Sequence, residues 1–373
     1  MDSAVRSTSN SLAILCRTNP ISFELRLFIR ALEFVSTAGP FFAGTLDAVG
    51  KGSKDRTRTE RGILLESECS APVSDYYRRV KPHGLEKLQS IRGYLWSYSV
   101  IQNIHHAGRF GYVDALAGPG ILDLRVPRKE HQSALTAGPL PGELALGSPL
   151  LALSNHPHYP IVRLVEESPQ PFRALSTRVD HYYPGRAELS RGDCNSLLPG
   201  VASSLVNVVD NALFLLDPEG LEVQFATIRR IKENFPGAEL LILYPSFMAV
   251  ARCIVHRPSF PKLDKFFGDE LDEGVSRWVE IVELSDEGIP DDPEDDDYID
   301  EPHVGESNPV HARLLAHYVS QLRRAGNSAV EVSPIVRSEK GRPLYHMIFA
   351  GNNDTGAKII REIFRSAHRR RGR

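Results

Sequence analysis

The sequence predicts an α/β protein with a Rossmann-like, mostly parallel sheet. Three observations carry this expectation: short apolar runs alternate with helical patterns, a glycine-containing turn follows the first run, and two further apolar runs close the chain.

Residues 1–72 are rich in Ser, Thr, Gly and Arg and show little sustained periodicity apart from an amphipathic stretch at Phe23–Val35. They are expected to form a poorly ordered extension to a single domain over 73–373. From His83 to Ala107, the residues Leu85, Leu88, Ile91, Leu95, Val100 and Ile104 recur at helical spacing and Gly108 stops the run, so a helix is expected there. Strands are expected at Phe110–Ala115, Pro160–Glu166, Arg186–Ser190, Ala212–Asp217 and Ala238–Tyr244, each a short apolar run. Helical patterns at Ser148–Asn155, Ser168–His181, Asn195–Leu205 and Leu221–Asn234 separate them, as repeated βα units require. A longer helical region ends with Pro309–Ala325. Ala329–Val336 and Pro343–Ala350, joined by the turn-rich Arg337–Arg342, should pair as a C-terminal antiparallel hairpin, giving seven strands. A helix at Asp354–His368 finishes the pattern. Two insertions interrupt it: 121–146, rich in Pro, Gly and charge and long enough to serve as a lid or docking loop, and 286–306, which is low in complexity.

Composition excludes several classes. The most apolar early segment, Ile21–Val35, contains Glu24, Arg26, Arg30 and Glu33, so no stretch approaches the roughly 18 apolar residues of a membrane span. The apolar run Leu12–Cys16 is too short for a signal peptide, which points to a cytoplasmic protein. Cys16, Cys69, Cys194 and Cys253 are widely separated and form no CxxC pair, indicating reduced thiols rather than a zinc site or disulfide framework. The net charge of -3 is uneven: residues 286–306 hold 11 acids and no Lys or Arg, and the rest of the chain stands at +8. A basic remainder and the tail His368, Arg369, Arg370, Arg371, Arg373 suit either nucleic acid or a solvated surface.

The chemistry concentrates at strand ends. Asp114-Ala-Leu-Ala117-Gly118-Pro-Gly120 follows the first expected strand, where a doubly wound sheet binds its nucleotide, and Gly118 and Gly120 let the backbone approach a ligand closely. It is not GxGxxG, because Asp123 stands where the third Gly would be, which disfavours NAD. A plain structural turn is the alternative. Glu166 stands 46 residues after Gly120, and 20 once the 26-residue insertion is set aside, the spacing of the acid that takes ribose hydroxyls. Glu167 is a substitute, and a solvated strand-end acid is the other reading. Gly147-Ser148-Pro149 offers a Ser cap to the helix that resumes after the insertion, placing its positive end toward a ligand or simply starting the helix. Asp193 follows the third strand and is either an acid near the adenine or the N-cap of the next helix. Asp217, at the end of the fourth strand in Leu215-Leu-Asp-Pro-Glu-Gly220, faces the crevice where a substrate lies and is the candidate catalytic carboxylate; a routine Asp-Pro turn is its alternative. His105-His106, His156-Pro-His158 and His181 show no metal-ligand spacing.

Taken in order, Asp114 to Gly120, Gly147-Ser-Pro-Leu-Leu-Ala-Leu153, Glu166, Gly192-Asp193, Phe214-Leu-Leu-Asp-Pro-Glu-Gly220 and Phe266-Phe-Gly268 resemble the three-Cys-motif partner protein family, over most of residues 83–360. The resemblance implies a class I S-adenosylmethionine (SAM) methyltransferase-like fold, SAM as cofactor and a partner carrying a three-cysteine motif. It implies no substrate. Glu219-Gly220 stands where the broader amino-methyltransferase pattern Asp-Pro-Pro-Tyr/Phe supplies an aromatic to stack a flipped base, a departure that argues against base methylation. Two functions follow as expectations: a SAM-dependent methyltransferase, with Asp114, Ala117, Gly118, Gly120, Ser148, Glu166 and Asp193 toward the cofactor and Asp217 toward the acceptor, or a non-catalytic module binding a protein or nucleic acid. A metal enzyme built on Asp217, Glu219 and Asp193 is the least favoured, and no metal site is expected.

Overall fold

The central strands are apolar on both faces because helices cover both. The computed structural model describes residues 74, 76–80, 82–106, 108–124, 144–269, 275–284, 309–338 and 340–371, within the compact unit Glu60–Arg373. The expected extension over 1–72, the acidic segment 286–306 and the middle of the first insertion lie outside these residues.

The main sheet is built from β2 (Phe110–Asp114), β5 (Ile161–Glu166), β6 (Glu188–Arg191), β7 (Asn211–Leu216), β8 (Ala238–Tyr244) and β11 (Pro343–Gly351), in the order β6-β5-β2-β7-β8-β11. The first five are mutually parallel, while β11 runs antiparallel to β8, with His346 opposite Tyr244. From β2 the chain winds outward to β5 and β6, then returns to the other side of β2 to make β7 and β8. The crevice above β2 is therefore a topological switch point, where open α/β sheets bind ligands.

The expected sixth strand, Ala329–Val336, is divided. β9 (Ala329–Val332) and β10 (Val336–Arg337) both pair with β11, so the sheet has eight strands. Pro334 lies in the break and has no N–H to donate to the ladder. Ser333 compensates: its N–H donates to the Met347 carbonyl and its Oγ accepts from the Met347 N–H, both at 2.9 Å.

The first insertion is also not wholly loop. Its two ends form β3 (Ile121–Asp123) and β4 (Leu144–Leu146), paired antiparallel, and β3 pairs in parallel with β1 (Arg78–Arg79) to make a second, three-stranded sheet. Strands this short carry no readable period.

On one sheet face, Phe214, Leu240, Ile242, Phe266 and Tyr318 belong to a continuous buried cluster. On the other lie helix α1 (Pro82–His106) and a set of aromatics in which Tyr98 stacks on Tyr159 at 6.2 Å and Phe110 meets Tyr159 edge-on at 5.7 Å. Each such ring, wholly removed from water, contributes about 1.5–3 kcal/mol. The exception in β8 is Glu239, buried beside Tyr94, whose hydroxyl donates at 3.0 Å, and Asn353, whose amide donates at 3.0 Å. Burial holds the Glu239 carboxyl above its usual range. No helix among the described residues is long and apolar enough to cross a membrane.

Candidate functional site

The loop from Ala115 to Gly120 leaves the end of β2 and is fixed from three sides. Asp114 is fully buried beneath it, accepting hydrogen bonds from the Tyr112 hydroxyl at 2.7 Å and, more loosely, from the Leu116 N–H at 3.4 Å. The Ser148 hydroxyl also bonds Asp114. Burial pushes the Asp114 carboxyl up to about 6, against these hydrogen bonds, and the nearby Asp217 charge adds to the rise. The Ala117 N–H donates to the Val165 carbonyl at 2.9 Å, tying the loop to β5.

Glu166 closes the third side. One carboxylate oxygen accepts from the Gly118 N–H at 2.8 Å and the other from the Ser168 N–H at 2.7 Å. A carboxylate has about four acceptor positions, so two remain for a ligand's hydroxyls. Gly118 (φ 63°) and Gly120 (φ 82°) both occupy the left-handed region, at little cost for a residue without Cβ. Their surroundings differ. A Cβ on Gly118 would meet nothing within 4 Å, whereas one on Gly120 would press within 2.9 Å of Leu175 Cδ1 and 3.2 Å of Leu150 Cγ. Gly118 thus borders open space and Gly120 packs inward.

The spacing argument for Glu166 rests on the insertion leaving and rejoining the fold at one place. It does: the Gly147 N–H donates to the Gly120 carbonyl at 2.8 Å. The expected Ser148 cap is corrected. Gly147 is the capping residue of helix α2 (Ser148–Leu153) and makes no side-chain cap bond, while Ser148 is the first helical residue with Pro149 in the same turn. Asp114 competes for the Ser148 hydroxyl and draws it away from the helix end.

Asp193 sits at the N-cap of helix α4 (Cys194–Leu205), where its carboxylate accepts from the Ser196 N–H at 2.9 Å, the Ser196 hydroxyl at 2.8 Å and the Asn195 amide at 3.0 Å. Asn195 reaches on to the β7 loop, donating to the Glu222 carbonyl at 2.8 Å. Glu167 is exposed.

Asp217 follows β7 directly, and its carboxylate is held on both oxygens by Lys87 Nζ, at 2.8 and 2.7 Å. The pair is partly shielded, with side-chain exposures of 20% for Lys87 and 16% for Asp217. Glu219, in the same loop, pairs with Arg78 of β1. Lys87 lies in α1, 130 residues from Asp217; no local motif announces the contact.

A second residue that holds this region together escapes sequence reading. Arg178, in helix α3 (Pro169–Tyr182), is fully buried and donates to the carbonyls of Pro119 at 2.6 Å, Tyr76 at 2.7 Å and Ser74 at 2.9 Å. It clamps the glycine loop to the segment before β1, and Tyr77 covers its guanidinium at 5.1 Å. Burial lowers its pKa. Among the described residues no group of three His, Cys, Asp or Glu side chains converges on a metal position.

The ends of β2, β5 and β7 thus bring together a glycine loop, a partly satisfied carboxylate and an ion-paired carboxylate. No protein-family model matches the sequence, and no curated protein matches it. Among solved structures, a Legionella pneumophila protein labelled DUF519 is similar at 12% identity and a TM-score of 0.42, over 74% of this chain and 90% of that one. An O-methyltransferase from Bacillus cereus in complex with SAH is similar at 11% identity and a TM-score of 0.30, over 77% of this chain and 84% of that one. Strand order and register, rather than these distant likenesses, define the fold.

Proposed function

We propose that the chain is a SAM-dependent methyltransferase. The observation that carries this reading is the meeting of Glu166 and the Gly118 N–H at the switch point, beside backbone that borders open space. The residues fit the cofactor: the remaining acceptor positions of Glu166 suit ribose hydroxyls, and Gly118 leaves room where any other side chain would intrude. Asp114, Ala117, Gly118, Gly120, Ser148, Glu166 and Asp193 make the cofactor side of the crevice, and Asp217 the acceptor side. SAM, when bound, supplies an electrophilic methyl group. The protein's share is to position it, exclude water and orient the acceptor. Lys87 keeps Asp217 in place as a charged hydrogen-bond acceptor for the incoming group. From the family resemblance we further infer a protein partner with a three-cysteine motif.

Calorimetric titration with SAM and S-adenosylhomocysteine tests the reading, with NAD as the control. Micromolar binding, roughly -8 kcal/mol, is expected for the first two. Absence of binding at millimolar ligand would refute it. The bidentate Lys87–Asp217 contact also favours a second reading, a binding module without turnover, because Lys87 occupies both oxygens of the proposed acid. Cofactor binding without methyl transfer to any cell fraction would select that reading.

A further inference from the structure

The β7 loop lacks the aromatic that would hold a planar acceptor, yet the next strand end supplies one. β8 runs one strand away from β7, about 4.8 Å, and Leu216 pairs with Ile242, so Asp217 stands level with Leu243. Three residues further, Ser246–Val250 forms a π-helical turn, a rare geometry that is frequent at functional sites. Its first residue, Ser246, is 2% exposed and its Oγ has no hydrogen-bond partner among the described residues. A buried hydroxyl left unpaired is destabilising unless a ligand completes it. Its second residue, Phe247, is half-buried, and its ring lies 4.2 Å from that of His311. Burial, with a smaller contribution from the neighbouring His346, lowers His311 to about 4, so the two rings, tilted 42° to each other, carry no charge at neutral pH.

The elements that follow carry the opposite character. Arg252 in helix α5 (Ala251–Ile254), Arg257 in the next turn, and Lys262 and Lys265 in helix α6 (Phe260–Phe267) are all exposed. None pairs with an acid among the described residues, because Asp264, the only acid in this stretch, accepts from Trp278 Nε1 at 2.7 Å and from the Ser276 hydroxyl. Lys262 and Lys265 share one helix face. A neutral stacking platform followed by unpaired cations matches a polymer of planar bases on a phosphate backbone. An acidic peptide would use the cations and leave the platform idle.

We propose that the methyl acceptor is a single-stranded nucleic acid, with a base received against Phe247 and Ser246 at the end of β8 and its phosphates held by Arg252, Arg257, Lys262 and Lys265. This rests on the methyltransferase reading above. The aromatic absent from the β7 loop is thereby provided by the adjacent strand, and the objection to a base as acceptor falls away.

The test uses the full chain, with fluorescence anisotropy of short labelled single-stranded RNA and DNA of one sequence at about 50 mM salt. Wild type should bind at least one of them. The quadruple change R252A/R257A/K262A/K265A should lower affinity more than tenfold and reduce the salt slope by about one for each cation removed. Phe247→Ala should lower affinity for the strand about tenfold or more but leave binding of an abasic strand unchanged, and Phe247→Trp should restore it. All variants should titrate with SAM and melt like wild type. SAM binding without nucleic-acid binding overturns the acceptor while leaving the cofactor reading intact. Nucleic-acid binding without SAM binding overturns both the cofactor reading and the acceptor that depends on it. Equal strand binding by wild type and Phe247→Ala, or displacement of the strand by polyglutamate as readily as by unlabelled strand, also overturns the proposal.

Discussion

Lys87 Nζ lies within 2.8 Å of both carboxylate oxygens of Asp217, joining the helix before the first parallel strand to the end of the fourth. Removing either member leaves a partly shielded charge without its partner. Lys87→Met should therefore destabilise the protein by about 1–3 kcal/mol, and adding Asp217→Asn should recover part of that loss. Urea unfolding of both single variants and the double variant measures the coupling. Additive effects would mean the pair contributes nothing to stability.

Asp217→Asn alone should leave cofactor affinity near wild type and lower methyl transfer about 100-fold. The nearly isosteric amide removes the negative charge offered to the acceptor while keeping one accepting oxygen. Radiolabelled transfer from SAM to cell fractions is the measurement, and equal labelling by both proteins would reduce Asp217 to a turn residue. Pro218→Ala is a poorer probe because Pro fixes the turn.

Glu166→Ala should weaken SAM binding by about 1–3 kcal/mol. It also removes the acceptor for the Gly118 and Ser168 amides, so some loss of thermal stability is expected as well. Glu166→Gln preserves one accepting oxygen and separates the two effects by titration and melting. Unchanged cofactor affinity in both variants would show that the ribose lies elsewhere.

The two glycines should respond differently to alanine. Gly120→Ala meets Leu175 and Leu150 in a left-handed conformation and should cost stability, about 2–4 kcal/mol by urea unfolding. Gly118→Ala meets no atom within 4 Å and should cost only about 1–2 kcal/mol, the left-handed penalty. Its methyl group projects into the space assigned to the cofactor, so its main effect should be on SAM affinity. If titration shows Gly118→Ala binding SAM as wild type does, that space is not the cofactor's.

Asp114 predicts a pH dependence. Its folded value, about 6, lies above that of an unfolded aspartate, so its contribution is fully present below about pH 4 and is lost as pH rises through about 6. Between those limits wild type should lose up to about 3 kcal/mol relative to Asp114→Asn. Urea midpoints measured from pH 4 to 8 check this, and a constant difference across the range would show that Asp114 is ionised throughout.

The long apolar strands β2, β7 and β8 were legible because burial on both faces demands continuous hydrophobic runs. The placement of Glu166 beside the glycine loop was legible through spacing once the insertion was set aside, because the Gly147–Gly120 contact brings the insertion's two ends together. Arg178 was not, since a lone Arg on an amphipathic helix reads as a solvent-facing charge, and only the folded chain brings three carbonyls to it. Lys87 was hidden for the same reason: side-chain partners 130 residues apart leave no local period. The division of the expected strand Ala329–Val336 had a visible signal in Pro334, outweighed by the β-branched residues around it.

The bond between Gly147 and Gly120 has an engineering consequence. The two ends of the segment meet at this pair of glycines and again where β3 pairs with β4, so the described residues hold both ends together by themselves. Closing such an excursion costs only about 0.6 kcal/mol more for each doubling of its length. Exchanging 125–143 for a short Gly-Ser bridge, or for a foreign peptide, should thus leave the glycine loop and Glu166 where they are, making this position a place to rewire recognition without rebuilding the crevice.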